Sequence, residues 1–180
     1  MGRKQRIIIL LLIFAAAIWY HLPSDDWKLA IHDDAFSAGK QATMLVKSDT
    51  SDHTLILDCS TKYIRLSFGI KGKLPTGVVG FGELSTRIDK SDPIVFHDVL
   101  WKTDGDYIFA QTFVEGNPSE FALFLHQLKD AKSNVIVGFK GLRSDSSAEN
   151  TSSEFGVVGV RDTLEKFEQA CKISIKITPK

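Results

Sequence analysis

The chain has 180 residues with 22 basic and 22 acidic side chains, so its formal net charge is zero. That balance argues against nucleic acid as a partner, because phosphate binding shows a basic surplus or stripe. A hydrophobic content of 43% with 12 Phe residues supplies a packed core rather than a disordered stalk.

Arg3, Lys4 and Arg6 form a basic head before an uncharged run from Ile7 to Tyr20. As a helix that run extends about 21 Å, short of the roughly 30 Å hydrocarbon core of a bilayer. The uncharged stretch continues to Ser24, however, and Trp19 and Tyr20 supply an interfacial belt opposite the basic, cytoplasmic head. Residues 1–24 therefore read as an uncleaved signal anchor, and residues 25–180 as one exported, β-rich globular domain. Two alternatives stand beside the anchor. Ala15 and Ala17 form an A-x-A cleavage pattern that would release a soluble domain, and a buried first helix would imply no export. Arg6 stands where myristoylation wants Ser or Thr, and no Cys lies near the run to carry a lipoprotein signal.

Alternating or branched apolar segments predict strands at Trp27–His32, Gln41–Lys47, Thr54–Cys59, Lys62–Phe68, Glu83–Ile88, Ile94–Lys102 and Tyr107–Thr112. Between the fourth and fifth, "KGKLPTGVVGFG" reads as a Gly- and Pro-punctuated loop, and Asp104-Gly105 as a hairpin turn. A helix then opens at "NPSE", with Asn117 as N-cap, Pro118 in the first turn and Glu120 three residues after the cap. Phe121, Phe124, Leu125 and Leu128 form its apolar stripe. "NVIVGFK" predicts a further strand and "RSDSSAENTSS" a polar loop. A second helix runs from about Gly159 to Lys172 with Val160, Leu164, Phe167 and Cys171 along one face, and "KISIKIT" alternates as a last strand. The sum is mostly β with two helices, an α+β fold built as an antiparallel β-sandwich or curled sheet.

Cys59 and Cys171 are the only cysteines, and their distance excludes a C-x-x-C redox pair or a cysteine-clustered zinc site. In an exported chain two such cysteines form one structural disulfide, and closing a loop of roughly 110 residues disfavours the unfolded state by on the order of 4–5 kcal/mol. Two separately buried thiols are the alternative.

Chemistry-bearing motifs are sparse. The five histidines have no metal-ligand spacing, and His32, Asp33 and Asp34 read as a polar turn before a metal site. His97 and Asp98 are expected on opposite faces of their strand, which disfavours a joint catalytic role. "GVVGFG" lacks the helix that would receive a phosphate, and no G-x-S-x-G elbow exists. No catalytic residue, metal or cofactor is therefore expected, and no small-molecule substrate. One constellation suggests recognition: Arg87 and Asp89 at i and i+2 share a strand face, with Trp101 on the following strand. It reads either as an ion pair beside a core tryptophan or as a partner-binding surface with an aromatic anchor.

Three stretches carry a resemblance. They are "LILDC", "STRID" followed by a strand ending in Trp101 and a short amphipathic helix, and "EFGVVGV" leading into "LEKFEQAC". On these the chain from about Leu55 to Lys172 resembles periplasmic accessory proteins of the type VI secretion system, the VasI/TagO type. The related invasion-associated family ends in a similar helix-and-cysteine pattern. The resemblance implies a β-sandwich, a strand-to-helix disulfide between Cys59 and Cys171, and a non-enzymatic role in the envelope. In outline the chain is also similar to prophage-encoded superinfection exclusion proteins, which pair one inner-membrane segment with one periplasmic domain and would block phage DNA entry. The retained anchor and the strand-like "KISIKIT" tail depart from the secretion-accessory pattern, and the anchor suits the exclusion-protein outline better. With the anchor kept, the chain is expected to be a bacterial inner-membrane protein, single-pass, whose C-terminal domain meets an envelope protein partner in the periplasm. Signal cleavage would instead leave it soluble there.

Overall fold

Alternation of buried and exposed side chains builds most of the sheet among the described residues. A computed structural model describes residues 26–33, 39–72, 79–104, 106–142 and 148–172. The expected anchor at residues 1–24 and the expected strand in "KISIKIT" lie outside the described residues.

The strands are β1 (Lys28–Asp33), β2 (Lys40–Lys47), β3 (Thr54–Cys59), β4 (Ile64–Lys71), β5 (Val79–Ile88), β6 (Ile94–Asp104), β7 (Tyr107–Phe113), β8 (Val135–Leu142) and β9 (Ala148–Phe155). The helices are α1 (Pro118–Lys129) and α2 (Val160–Cys171). All nine strands join one antiparallel sheet in the order β1-β2-β3-β4-β7-β6-β5-β8-β9. The single sheet curls into a half-barrel, so the curled-sheet alternative is realised and the two-sheet sandwich is not.

One face of the curl is apolar. Met44 and Val46 on β2, Leu55 and Leu57 on β3, Leu66 and Phe68 on β4, Leu84 and Ile88 on β5, and Phe96 on β6 all face one core. The helices lay their apolar stripes on that core: Phe121, Phe124, Leu125 and Leu128 from α1, and Val160, Leu164 and Phe167 from α2. Phe96 meets Phe121 and Phe124 edge-on at centroid distances of 5.3 and 6.1 Å, a favoured aromatic arrangement. Gly159 supplies the left-handed entry to α2 at φ 70°, which a residue with a Cβ adopts only at a cost.

Two expectations fail for identifiable reasons. The second half of the expected loop "RSDSSAENTSS" is the start of β9, which pairs with β8 from Val135↔Phe155 to Leu142↔Ala148. Its polarity misleads because only Phe155 among its buried positions is apolar, whereas buried Ser153 is satisfied by Ser51 Oγ at 3.0 Å and by His53 Nδ1. The expected glycine loop before Glu83 is strand from Val79 onward, paired to β6 at Val79↔Lys102.

The edges of the sheet are drawn together. Trp27 donates through its indole Nε1–H to the Gly156 carbonyl at 2.9 Å and through its backbone N–H to Val158 at 3.2 Å. The Ser51–His53 turn reaches Ser153 on β9, and His53 lies edge-on to Phe68. On the other face of the sheet, Asp58 and Arg65 are direct cross-strand partners joined by two hydrogen bonds of 3.0 and 3.1 Å. This planar fork is the strong form of such a pair.

Cys59, at the end of β3, is bonded to Cys171 in the last turn of α2, with Cα atoms 6.0 Å apart and a sequence separation of 112. A structural disulfide persists in oxidising compartments, so the bond points to an extracytoplasmic location. Replacing Cys171→Ser should lower unfolding free energy by roughly 2–5 kcal/mol, read as a lower urea midpoint. Alkylation of native protein without reductant should label neither cysteine. Two labelled thiols would overturn the bond.

Candidate functional site

The alternation in β6 slips by one residue. Ile94 and Phe96 face the core, then Val99, Trp101 and Thr103 do, with His97 and Asp98 both exposed between them. The register with β5 shifts at the same place, between Gly82 and Leu84, and Asp98 takes φ 57°. This is a β-bulge, in which an extra residue bends the strand and re-aims its side chains. The expectation that His97 and Asp98 face opposite ways is therefore corrected: both project outward.

Asn117 holds the bulge. Its side chain is only 3% exposed, and its Oδ1 accepts from the His97 backbone N–H at 3.0 Å. Its Nδ2 donates to the His97 carbonyl at 2.8 Å and to Thr112 Oγ1 at 3.0 Å. The amide thus replaces a missing ladder neighbour at His97. Asn117 does stand before α1, but its side chain makes no cap bond to that helix. Only its backbone carbonyl serves the helix, accepting from Phe121 N–H at 3.0 Å.

The slip sends Trp101 inward. The indole is 2% exposed and donates through Nε1–H to the Phe81 carbonyl at 3.1 Å. It lies flat on Gly80, where an added Cβ would come within 2.5 Å of the ring. That contact gives the first strand glycine of "GVVGFG" a packing role.

The outward face of the same strands is apolar at its centre. Phe81 is 69% and Val79 is 61% exposed, and Phe81 stands directly opposite the partly exposed Leu100. Beside Phe81 opens a hollow of about 390 Å³, lined by Phe81, Gly82, Glu83, His97, Asp98 and Lys140. Glu83 pairs in register with Lys140 on β8, and its Oε1 lies 3.6 Å from His97 Nδ1. The patch therefore combines a protruding aromatic ring, an adjoining recess and charges of both signs.

The three residues singled out in the sequence do not share a surface. Arg87 is exposed on β5, Trp101 is inside, and Asp89 lies just past β5 at φ 52°. Asp89 spends its carboxylate on the segment before β8. It accepts from the backbone N–H groups of Lys132 (3.0 Å), Ser133 (2.7 Å) and Asn134 (3.2 Å), and from the Ser133 hydroxyl at 2.7 Å. The Ser133 hydroxyl bond and these backbone donors hold its pKa down at about 2, against the smaller opposing effect of burial. Arg87 and Asp89 form no ion pair among the described residues.

The contact of Ser153 with His53 is the other arrangement with catalytic residue types. Ser153 is buried between the β9 edge and the β2–β3 turn, and Ser51 also binds its hydroxyl. Burial pushes the His53 imidazole below its ordinary value, with Asp52 pulling the other way. The geometry is that of a clasp between sheet edges, since a nucleophile must be open to its substrate. Among the described residues no three His, Cys, Asp or Glu side chains group to hold a metal ion, and no helix is long and apolar enough to cross a membrane.

No family model matches the chain, and neither a curated protein nor a solved structure matches it. The resemblance to secretion accessory proteins rests on the motifs alone.

Replacing Asn117→Ala would leave the His97 N–H and carbonyl without partners, at a cost of about 1–3 kcal/mol for each group that stays buried. Thermal or urea unfolding should show that loss equally at pH 5 and pH 8. Asp89→Asn should instead give a pH-dependent loss. The folded pKa lies below the ordinary value of 3.8, so the Asp89 contribution is fully present above that value and disappears as pH falls toward about 2. At neutral pH the variant should be weaker by about 1 kcal/mol, allowing for solvent screening. The difference from wild type should close between about pH 4 and pH 2. A constant difference across that window would show that the carboxylate charge is not what the loop uses.

Proposed function

We propose that the chain is a non-enzymatic interaction module of the bacterial envelope. In this reading residues 1–24 tether it to the inner membrane, and its domain holds a protein partner on the periplasmic side. The disulfide supports an oxidising location. The observation that carries the binding role is the exposed Phe81 beside its recess, a large aromatic ring left in water on a rigid central strand. Arg87 is exposed on the same face of β5 and extends the polar flank, Trp101 supports the surface from within the fold, and Asp89 holds the loop before β8 at the end of the strand. The motifs shared with type VI secretion accessory proteins make a secretion apparatus the expected setting. A tethered module gains effective concentration at the membrane, so a modest interface suffices.

Complementation tests the reading. In a strain deleted for the gene, the wild-type chain should restore export of the secretion tube component. Phe81→Asp should fail to do so at an equal level of disulfide-bonded protein. Restoration by both chains would remove the site. Release of product from peptidoglycan or lipid by the purified chain, tracking folded protein, would overturn the non-enzymatic assignment. A phosphatase fused after Lys180 should be active and remain in carbonate-washed membranes. Activity in the soluble periplasm would favour cleavage.

A further inference from the structure

The patch around Phe81 is complementary to itself, and we infer that its occupant is a second copy of this chain, docked across a two-fold axis. The inference rests on the interaction-module reading and names the partner of that same surface.

Shape is the first argument. A C2 interface uses one patch on both subunits, so it requires a surface that carries both a projection and its receptacle. Phe81 projects with 69% of its surface exposed, and the hollow of about 390 Å³ opens directly beside it, bounded by Glu83, His97, Asp98 and Lys140. A two-fold axis near Phe81 seats each ring in the recess of the other copy. Leu100, opposite Phe81, and Val79, two residues earlier on β5, then pack around the axis. The two outward sheet faces meet as layers of a sandwich, with the apolar residues between them.

Charge is the second argument. The rim carries Glu83 and Asp98 on one side of the recess and Lys140 on the neighbouring strand. Glu83 and Lys140 are in-register neighbours within one copy, so the rim presents both signs to an incoming surface, and a second copy presents the same mixture in return. A target of one sign would meet repulsion from half of this rim. The whole chain has zero formal net charge, so two copies approach without long-range repulsion. The bulge matters here because it places His97 and Asp98 together on the outward face and thereby closes one wall of the recess.

The test uses the full-length chain in its own membrane with a photo-crosslinking amino acid in place of Leu100. The expected product is a band at twice the mass of the chain. The same photo-residue in place of the exposed Lys62, on the β3–β4 turn, should give none. Phe81→Asp should reduce the band several-fold. Charge exchange then separates contacts between copies from contacts within one copy. A Glu83→Lys chain alone and a Lys140→Glu chain alone each face like charges across the axis and should lose the band. Coexpressed with different tags, the two chains restore both opposite-charge contacts and should crosslink to each other. Recovery confined to the mixture supports the second copy. A wild-type band at any other mass overturns the self-association and leaves the docking reading standing. No band at all overturns both, and equal bands from the single and mixed charge variants overturn the charge argument and the axis with it.

Discussion

A single extra residue in β6 decides which side chains the half-barrel encloses. Side chains alternate with a period of two, so without the slip at His97–Asp98 every later residue of the strand would reverse its face. Leu100, Lys102 and Asp104 would point into the core, while Val99, Trp101 and Thr103 would point to water. The bulge breaks the ladder at His97, and the buried amide of Asn117 supplies the missing donor and acceptor. Because Asn117 also begins α1, the same residue fixes where the helix enters the core relative to β6. One polar side chain thus couples the register of the central sheet to the position of the helix that fills it.

The remaining polar contacts act at the margins of the same curl. Trp27 holds the start of β1 to the segment after β9, Ser51 and His53 hold the β2–β3 turn to Ser153, and Asp89 holds the loop before β8. The disulfide secures the far end of α2 to β3. An antiparallel sheet exposes unpaired groups at its edges, and a strongly curled one brings those edges close enough to be cross-linked by side chains. The helices occupy the concave side, so the edges need only be held and not fully paired.

Much of this was legible in the sequence. Thr54–Cys59 is a strand with those bounds, both helices lie where their apolar stripes place them, and Cys59 pairs with Cys171. The slip in β6 was hidden, since Val95 and Leu100 are apolar like their neighbours and residues 94–101 show no clean alternation to be broken. Reading His97-Asp98 as an uninterrupted strand missed it. β9 was not legible, because composition cannot show that Ser153 is buried but satisfied by a histidine and a serine about a hundred residues away. Asp89 looked like a strand-face partner of Arg87, yet the following "KSDP" is turn chemistry, and a carboxylate there finds backbone N–H groups before it finds a cation.

Trp101 takes the first of its two expected places, that of a core tryptophan. A tryptophan near exposed charges suggests an anchor for a partner, but Gly80 leaves a slot on the facing strand that only a flat ring fills. The indole goes inside and its N–H is satisfied by the carbonyl of Phe81. That bond holds the backbone from which the Phe81 side chain projects to the opposite face. The aromatic residue that sequence singled out therefore supports the outward ring that sequence passed over. The candidate surface is rigid because its central residue is backed by a buried tryptophan on one strand, a pinned bulge beside it, and a paired strand on the other side. A preorganised surface loses little conformational freedom on docking, so even a small patch with one protruding ring can support specific association.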